Sequence, residues 1–124
     1  MSVRTISNIY YFDHVKLQWM DLRSIINKKE NNASSQNPNA TSYHSSVLHQ
    51  SNVLIFGGEK DGILNNTLYS FNIENFVWSV KFTTGDLIEV RKGHTATLFG
   101  GYNMLISGGL DTSGNTIRDI FLLS

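Results

Sequence analysis

Four histidines, His14, His44, His49 and His94, offer the most versatile chemistry in this chain. An imidazole can ligate a metal or carry a proton near neutral pH. Their spacing argues against a shared metal site. His44 and His49 are separated by an odd number of residues, so along a strand they fall on opposite faces. Asp86 and Glu89 form a carboxylate pair of the kind used for general acid–base work. Both lie among turn residues and read as a solvated loop. Gly57-Gly58, Gly100-Gly101 and Gly108-Gly109 could suggest a phosphate cradle. None sits between a strand and a helix with the required spacing, so they read as structural turns. No residue is expected to be catalytic, cofactor-binding or metal-binding, and no cofactor is expected.

Composition narrows the classes further. The chain has 124 residues, which suits one domain or a piece of one. Its formal net charge is zero, so no global field draws it to nucleic acid or an anionic membrane, and neither is expected as a partner. There is no cysteine, which excludes disulfides and thiolate metal sites and fits a reducing compartment. Met1–Tyr10 has no apolar core of signal-peptide length, and no run approaches membrane-spanning length. A cytoplasmic protein is the expectation, with the nucleus as the alternative. The sequons at Asn32, Asn39 and Asn65 are accordingly expected to be silent.

The elements that must position these residues are strands. Short β-branched and aromatic runs dominate: Asn8–Asp13, Leu17–Leu22, Tyr43–Leu48, Val53–Phe56, Thr67–Asn72, Asn75–Phe82, His94–Phe99, Asn103–Ser107 and Asp119–Leu123. The first two read as a hairpin. Leu22–Lys29 is the one helical candidate, short and uncapped. Asn27–Ser42 is polar, lacks periodicity and reads as a flexible surface loop. Gly57–Asn66 reads as a turn segment, with Asp61-Gly62 as a turn signal, and Thr83–Lys92 reads as a loop.

These strands repeat. "VLIFGG" at Val53–Gly58 returns as "MLISGG" at Met104–Gly109. His44 and His94 are fifty residues apart, the diglycines fifty-one, and Leu68-Tyr69 and Ile120-Phe121 fifty-two. Phe12-Asp13 with Trp19 returns as Phe71-Asn72 with Trp78 at an offset of fifty-nine. Four strand types therefore recur in fixed order: a histidine strand, a diglycine strand, an aromatic-Asp/Asn strand and a tryptophan strand. A period near fifty with several strands per period is the signature of a radial β array.

"RKGHTATL" (Arg91–Leu98), the two diglycine strands, "NTLYSFN" (Asn66–Asn72) and Trp78 together resemble kelch repeats. The resemblance implies an all-β fold of antiparallel four-stranded blades, here an incomplete β-propeller of about two and a quarter blades. Residues 1–22 would supply a half blade (third and fourth strands), 23–42 the Asn/Ser-rich loop, 43–82 a complete blade and 83–124 three strands of another. The chain departs from the pattern at Tyr43, where the second repeat has Gly93, and at Ser107, where the first has Phe56. In such a stack, inner strands are covered on both sides, which accounts for the unbroken apolar run Val53–Phe56. Trp19 and Trp78 would pack against neighbouring blades. His44 and His94 would be structural hydrogen-bonding residues inside a blade, and Arg91 would tie adjacent strands together.

Propellers typically need about four to eight blades. The chain is therefore expected to be a section of a longer protein or a subunit that completes a ring by oligomerisation. Function is expected in loops. In an up-and-down meander, the second-to-third strand loops share a face with the inter-blade loops. That face offers Glu59, Lys60, Asp61, Asp86, Glu89, Lys92, Asp111 and Arg118 as contacts for a protein partner. The resemblance implies a non-enzymatic protein-interaction scaffold. The alternative is a piece of a propeller enzyme of the oxidase or sugar-epimerase type.

Overall fold

The computed structural model describes residues 9–22 and 40–123. Through them run β1 (Tyr10–Asp13), β2 (Gln18–Asp21), β3 (Ser45–His49), β4 (Asn52–Phe56), β5 (Glu59–Lys60), β6 (Ile63–Leu64), β7 (Leu68–Asn72), β8 (Trp78–Lys81), β9 (Thr95–Phe99), β10 (Asn103–Ser107) and β11 (Ile120–Leu123). The ladders between these strands are antiparallel. They build a hairpin β1–β2, a four-stranded meander β3-β4-β7-β8, a three-stranded sheet β9-β10-β11 and a small ribbon β5–β6. The chain is thus all-β, a partial propeller. Of the helical candidate only Leu22 is described, and the Asn-rich segment lies outside the described residues as far as residue 39.

The repeat offsets have a geometric counterpart. In the β1–β2 turn, Asp13 Oδ1 accepts from the backbone N–H of Val15 and Lys16. In the β7–β8 turn, fifty-nine residues on, Asn72 Oδ1 accepts from Glu74 and Asn75. Leu17 and Phe76 then take matching left-handed conformations, φ 54° and 60°. Asp and Asn suit this position because their short side chains cap a turn locally.

The four-stranded sheet is covered on both faces. Alternation sends Val53 and Ile55 to one side and Leu54 and Phe56 to the other. On the first side, Val53, Ile55 and Tyr69 pack on a cluster of Leu22, Phe71 and Trp78, which Ile9 joins from the hairpin. On the second, Phe56 lies in a cluster with Ile88, Met104 and Ile106, with Leu54, Leu68, Phe121 and Leu123 against it. An apolar run without alternation is what two buried faces require.

Three expectations change. The turn segment Gly57–Asn66 contains the ribbon β5–β6. Asp61 and Gly62 both have positive φ, 51° and 79°, as a tight two-residue hairpin turn demands. Each ribbon strand is only two residues long, too short to show periodicity. His94 does not bond inside its own blade. Its Nε2 lies 3.0 Å from the Phe56 carbonyl and 2.7 Å from Ser45 Oγ, both in the preceding sheet. Finally, Trp78 is buried against the hairpin side, but Trp19 is 72% exposed and touches Phe12.

Candidate functional site

The diglycine at the end of β4 sets where the loops meet. Gly58 has φ 96°, and a Cβ there would lie 2.6 Å from the Ser42 carbonyl oxygen. A side chain would force the backbones apart, so only glycine lets residue 42 approach. Ser42 and Glu59 then exchange backbone bonds of 3.0 and 2.9 Å, and Gly58 N–H donates to Arg91 O at 2.9 Å. In the next repeat, Gly109 allows the same approach by Lys92, which exchanges bonds of 3.1 and 2.8 Å with Leu110. Segments around residues 42, 58, 92 and 110 are thereby knitted into one platform.

Side chains consolidate it. Lys92 Nζ bonds Glu59 Oε2 at 2.9 Å and sits 5.4 Å from the Tyr43 ring centroid. Lys60 and Asp61 project exposed from the tip of the same ribbon. Asp111 turns its carboxylate inward, accepting from the N–H of Ser113 and Asn115 and so shaping its own loop. Arg118 is exposed beside Asp119. Glu89 is exposed, and its carbonyl accepts from Arg91 Nε. Asp86 lines instead an open cleft of about 460 Å³ between the Thr83–Asp86 loop and β11. The structure brings Glu59 and Lys92 into contact. Lys60 and Asp61 are beside them in the ribbon, and Asp111 follows the residue bridged to Lys92.

Tyr43 is not among the contact residues expected from the sequence, which marks it only as a departure from the repeat pattern. It is 62% exposed and holds φ 58°, a left-handed conformation that a bulky residue adopts at a cost of about 1–2 kcal/mol. The matching repeat position is Gly93, φ 66°, which pays nothing. The Tyr43 carbonyl accepts from Gly93 N–H at 2.9 Å, so the two repeats are tied at this point. The mismatch with Gly93 was the available signal. Strain kept at an exposed aromatic marks a position worth testing for function.

Arg91 and His94 hold the platform from below. Arg91 is fully buried, and its guanidinium bonds Asp119 through NH1 to Oδ1 at 2.6 Å and NH2 to Oδ2 at 3.0 Å. NH1 also donates to the Gly108 carbonyl. These bonds tie the inter-blade loop to the start of β11, and they hold the Asp119 carboxyl below its usual value. The Phe56 carbonyl can only accept, so its bond to His94 requires the Nε2–H tautomer. Nδ1 is then a bare acceptor, buried without a partner. Protonation would add a donor there with nothing to receive it. Burial accordingly pushes the His94 pKa down; the Phe56 carbonyl opposes this, and Arg91 and His44 add to it. Asn65, the third sequon, spends its amide on the Gly57 and Gly58 carbonyls. Among the described residues, no three His, Asp or Glu side chains cluster in a way that could hold a metal ion.

This platform rests on repeat-matched diglycines, Arg91 and His94, and residues 2–124 match the KLHDC2/KLHL20/DRC7 Kelch-repeats domain. The chain belongs to the kelch-repeat family. It is 34% identical over 83 residues to the Rho GTPase-activating protein gacHH of Dictyostelium discoideum, covering 65% of this chain and 5% of that protein. It is 30% identical over 106 residues to Kelch domain-containing protein 3 of Bos taurus, covering 84% of this chain and 27% of that protein. The same-named protein of Rattus norvegicus is 30% identical over 107 residues, covering 79% and 28%. The chain therefore spans about a quarter or less of these relatives' lengths. In this kelch chain, the residues that carry the family pattern are spent on architecture. Of the two departures between its repeats, Tyr43 against Gly93 lies on the loop face, and Phe56 against Ser107 lies at the end of the diglycine strand.

Proposed function

We propose that this section of a kelch propeller is a protein-interaction module that presents its loop face, centred on Tyr43 and the Glu59–Lys92 pair, to a partner protein. Kelch-repeat proteins are commonly interaction modules and generally non-enzymatic scaffolds, and the loop geometry suits that role. The observation that carries the reading is the knitting of loops from successive repeats by paired backbone bonds, Ser42 with Glu59 and Lys92 with Leu110. A platform fixed in this way loses little conformational entropy on binding. It displays an exposed aromatic beside charged groups of both signs, a mixture suited to protein surfaces. The eight charged candidates serve as its contacts, with Tyr43 as anchor and Asp86 at the margin.

The test is a comparative affinity purification from cells, read by quantitative mass spectrometry. The loop-face variants are Tyr43→Ala and the charge reversals Lys60→Glu and Arg118→Glu. Substitutions at Gln50 and Tyr102, in the hairpin turns β3–β4 and β9–β10 at the opposite ends of the strands, serve as the comparison. Partners should be lost from the loop-face set and retained by the other. Unchanged capture by every loop-face variant would overturn the proposal.

A further inference from the structure

The four-stranded and three-stranded sheets meet along a seam, and His94 bonds across it. Besides its Nε2 contacts with the Phe56 carbonyl and Ser45 Oγ, the Phe56 ring stands edge-on to the imidazole, with centroids 5.4 Å apart. Gly57 lies against the same ring: a Cβ there would come within 2.7 Å of His94 Cε1. The loop platform is built directly on this contact. Gly57 precedes Gly58, whose N–H donates to Arg91 O, and His94 follows Gly93, whose N–H donates to the Tyr43 carbonyl. These two bonds and the Lys92–Glu59 ion pair cross the seam. The exchanges of Ser42 with Glu59 and of Lys92 with Leu110 do not: each stays with one sheet.

A proton upsets this arrangement. Nε2–H is committed to oxygens of the preceding sheet, so the proton must go to Nδ1, which is buried and unpartnered. The new donor has no acceptor, and the charge is held out of water. The groups that face it add to the penalty. The fully buried guanidinium of Arg91, on its own segment, and His44, from the segment before β3, both act against a second positive charge. The carboxylates of the adjoining segments are taken, since Asp119 binds Arg91 and Glu59 binds Lys92. Strands β4, β9 and β10 carry no charged residue that could offset it.

We propose that His94 is a proton-sensitive latch between the two sheets: once protonated, it leaves Phe56 and Ser45 so that Nδ1 reaches water, and the loop platform splits along the seam. Arg91 stays bound to Asp119 and to the Gly108 carbonyl, so residues 91–94 move with their own sheet. Each sheet keeps its ladders. Protonation of a buried histidine acts in this way when it biases an element that has a closed and an open arrangement. The latch sets the geometry of the loop face and stands whether or not that face binds a partner.

The experiment is amide hydrogen exchange on the 124-residue chain, resolved by NMR and expressed as protection factors at pH 7.5 and 5.5. The amides of Gly58 and Gly93 bond across the seam, whereas those of Glu59 and Leu110 bond within one sheet's own loops. The open form takes up the proton more readily, so opening grows as pH falls. With the ordinary histidine value of 6.5 in the open form, the limit is about a tenfold rise between the two pH values. Gly58 and Gly93 should lose protection toward that limit, while Glu59 and Leu110 keep theirs. His94→Gln retains a donor for the Phe56 carbonyl and should abolish the loss; His44→Gln and His49→Gln should leave it in place. If His94→Gln does not fold, the wild-type imidazole is titrated by NMR, and its midpoint should coincide with that of shift changes at the Gly58 and Gly93 amides. Equal loss at all four amides would mean that the whole chain unfolds, and would overturn the proposal. Unchanged protection at Gly58 and Gly93, a loss that persists in His94→Gln, or midpoints that do not coincide would also overturn it.

Discussion

Removing either partner of the Arg91–Asp119 pair should cost about the same, and removing both should cost little more than removing the arginine. The reason is the unequal burial of the pair: the Arg91 side chain is fully enclosed, whereas that of Asp119 is 37% exposed. Asp119→Asn leaves a cation inside the protein. The Gly108 and Glu89 carbonyls still accept from it, and the Phe121 ring still lies 5.7 Å away, but no charge balances it. Breaking a buried pair in this way costs about 3–5 kcal/mol, and the open side of Asp119 lets water in, so the low end, about 3 kcal/mol, applies. Arg91→Met keeps most of the volume and removes the cation. It strands the Gly108 carbonyl and frees a carboxylate that can rehydrate, for about 2–3 kcal/mol. Once the cation is gone, Asn at 119 is an ordinary partly exposed amide. The double variant should therefore match Arg91→Met, giving a coupling of about 3 kcal/mol. Urea titration of the four proteins at pH 7, compared at equal m-values, measures it. Additive costs, or a loss under about 1 kcal/mol for Asp119→Asn, would refute the reasoning. The pH dependence has a definite sign. The folded carboxyl is held below 3.8, so the stabilisation is fully present above that value and is lost as pH falls through the lower folded pKa. Asp119→Asn should lack that acid limb.

His94 titrates the other way from a paired histidine. Its folded pKa lies below 6.5, so the unfolded chain takes up the proton first and stability falls as pH drops below 6.5. His94→Gln keeps a donor for the Phe56 carbonyl and should flatten the thermal midpoint between pH 7.5 and 5.5; an unchanged slope would count against the assignment. Gly58→Ala should destabilise by more than about 2 kcal/mol, because φ is 96° and its Cβ would lie 2.6 Å from Ser42 O. Gly114→Ala, with φ 80° and open space around it, should cost only the backbone term of about 1–2 kcal/mol by chemical denaturation. Tyr43→Gly relieves a left-handed tyrosine and should leave the thermal midpoint unchanged or raise it, by up to about 1 kcal/mol in stability, while reducing partner capture; a clear loss of stability would show that Tyr43 is held for the fold instead.

Strand order was legible because it is written in repetition and alternation, which are properties of the chain itself. Val53–Phe56 lacks alternation, and both its faces proved covered. What the sequence could not show was which neighbouring sheet receives a given side chain. His94 and Ser45 look alike along the chain, each beside the start of a histidine strand, yet one reaches across to the other. Trp19 and Trp78 match in register and type and still differ from exposed to buried, because burial depends on what stands in front of a face. The ribbon Glu59–Lys60 with Ile63–Leu64 carries no period at all; its first strand pairs with the second on one side and, over Gly58, with residue 42 on the other.

The loop face shows the same division. Topology led to the expectation that its charged residues share one side of the meander, but charge says nothing of strain. Tyr43 stood out in the sequence only as a residue that failed to be glycine. Its φ of 58° turns that mismatch into a physical statement: the chain carries a strained conformation in one repeat that it avoids in the next. Folding alone favours Gly93's solution at both positions. A side chain retained against that preference, exposed and flanked by the Glu59–Lys92 pair, is the one on which the proposed partner contact stands or falls.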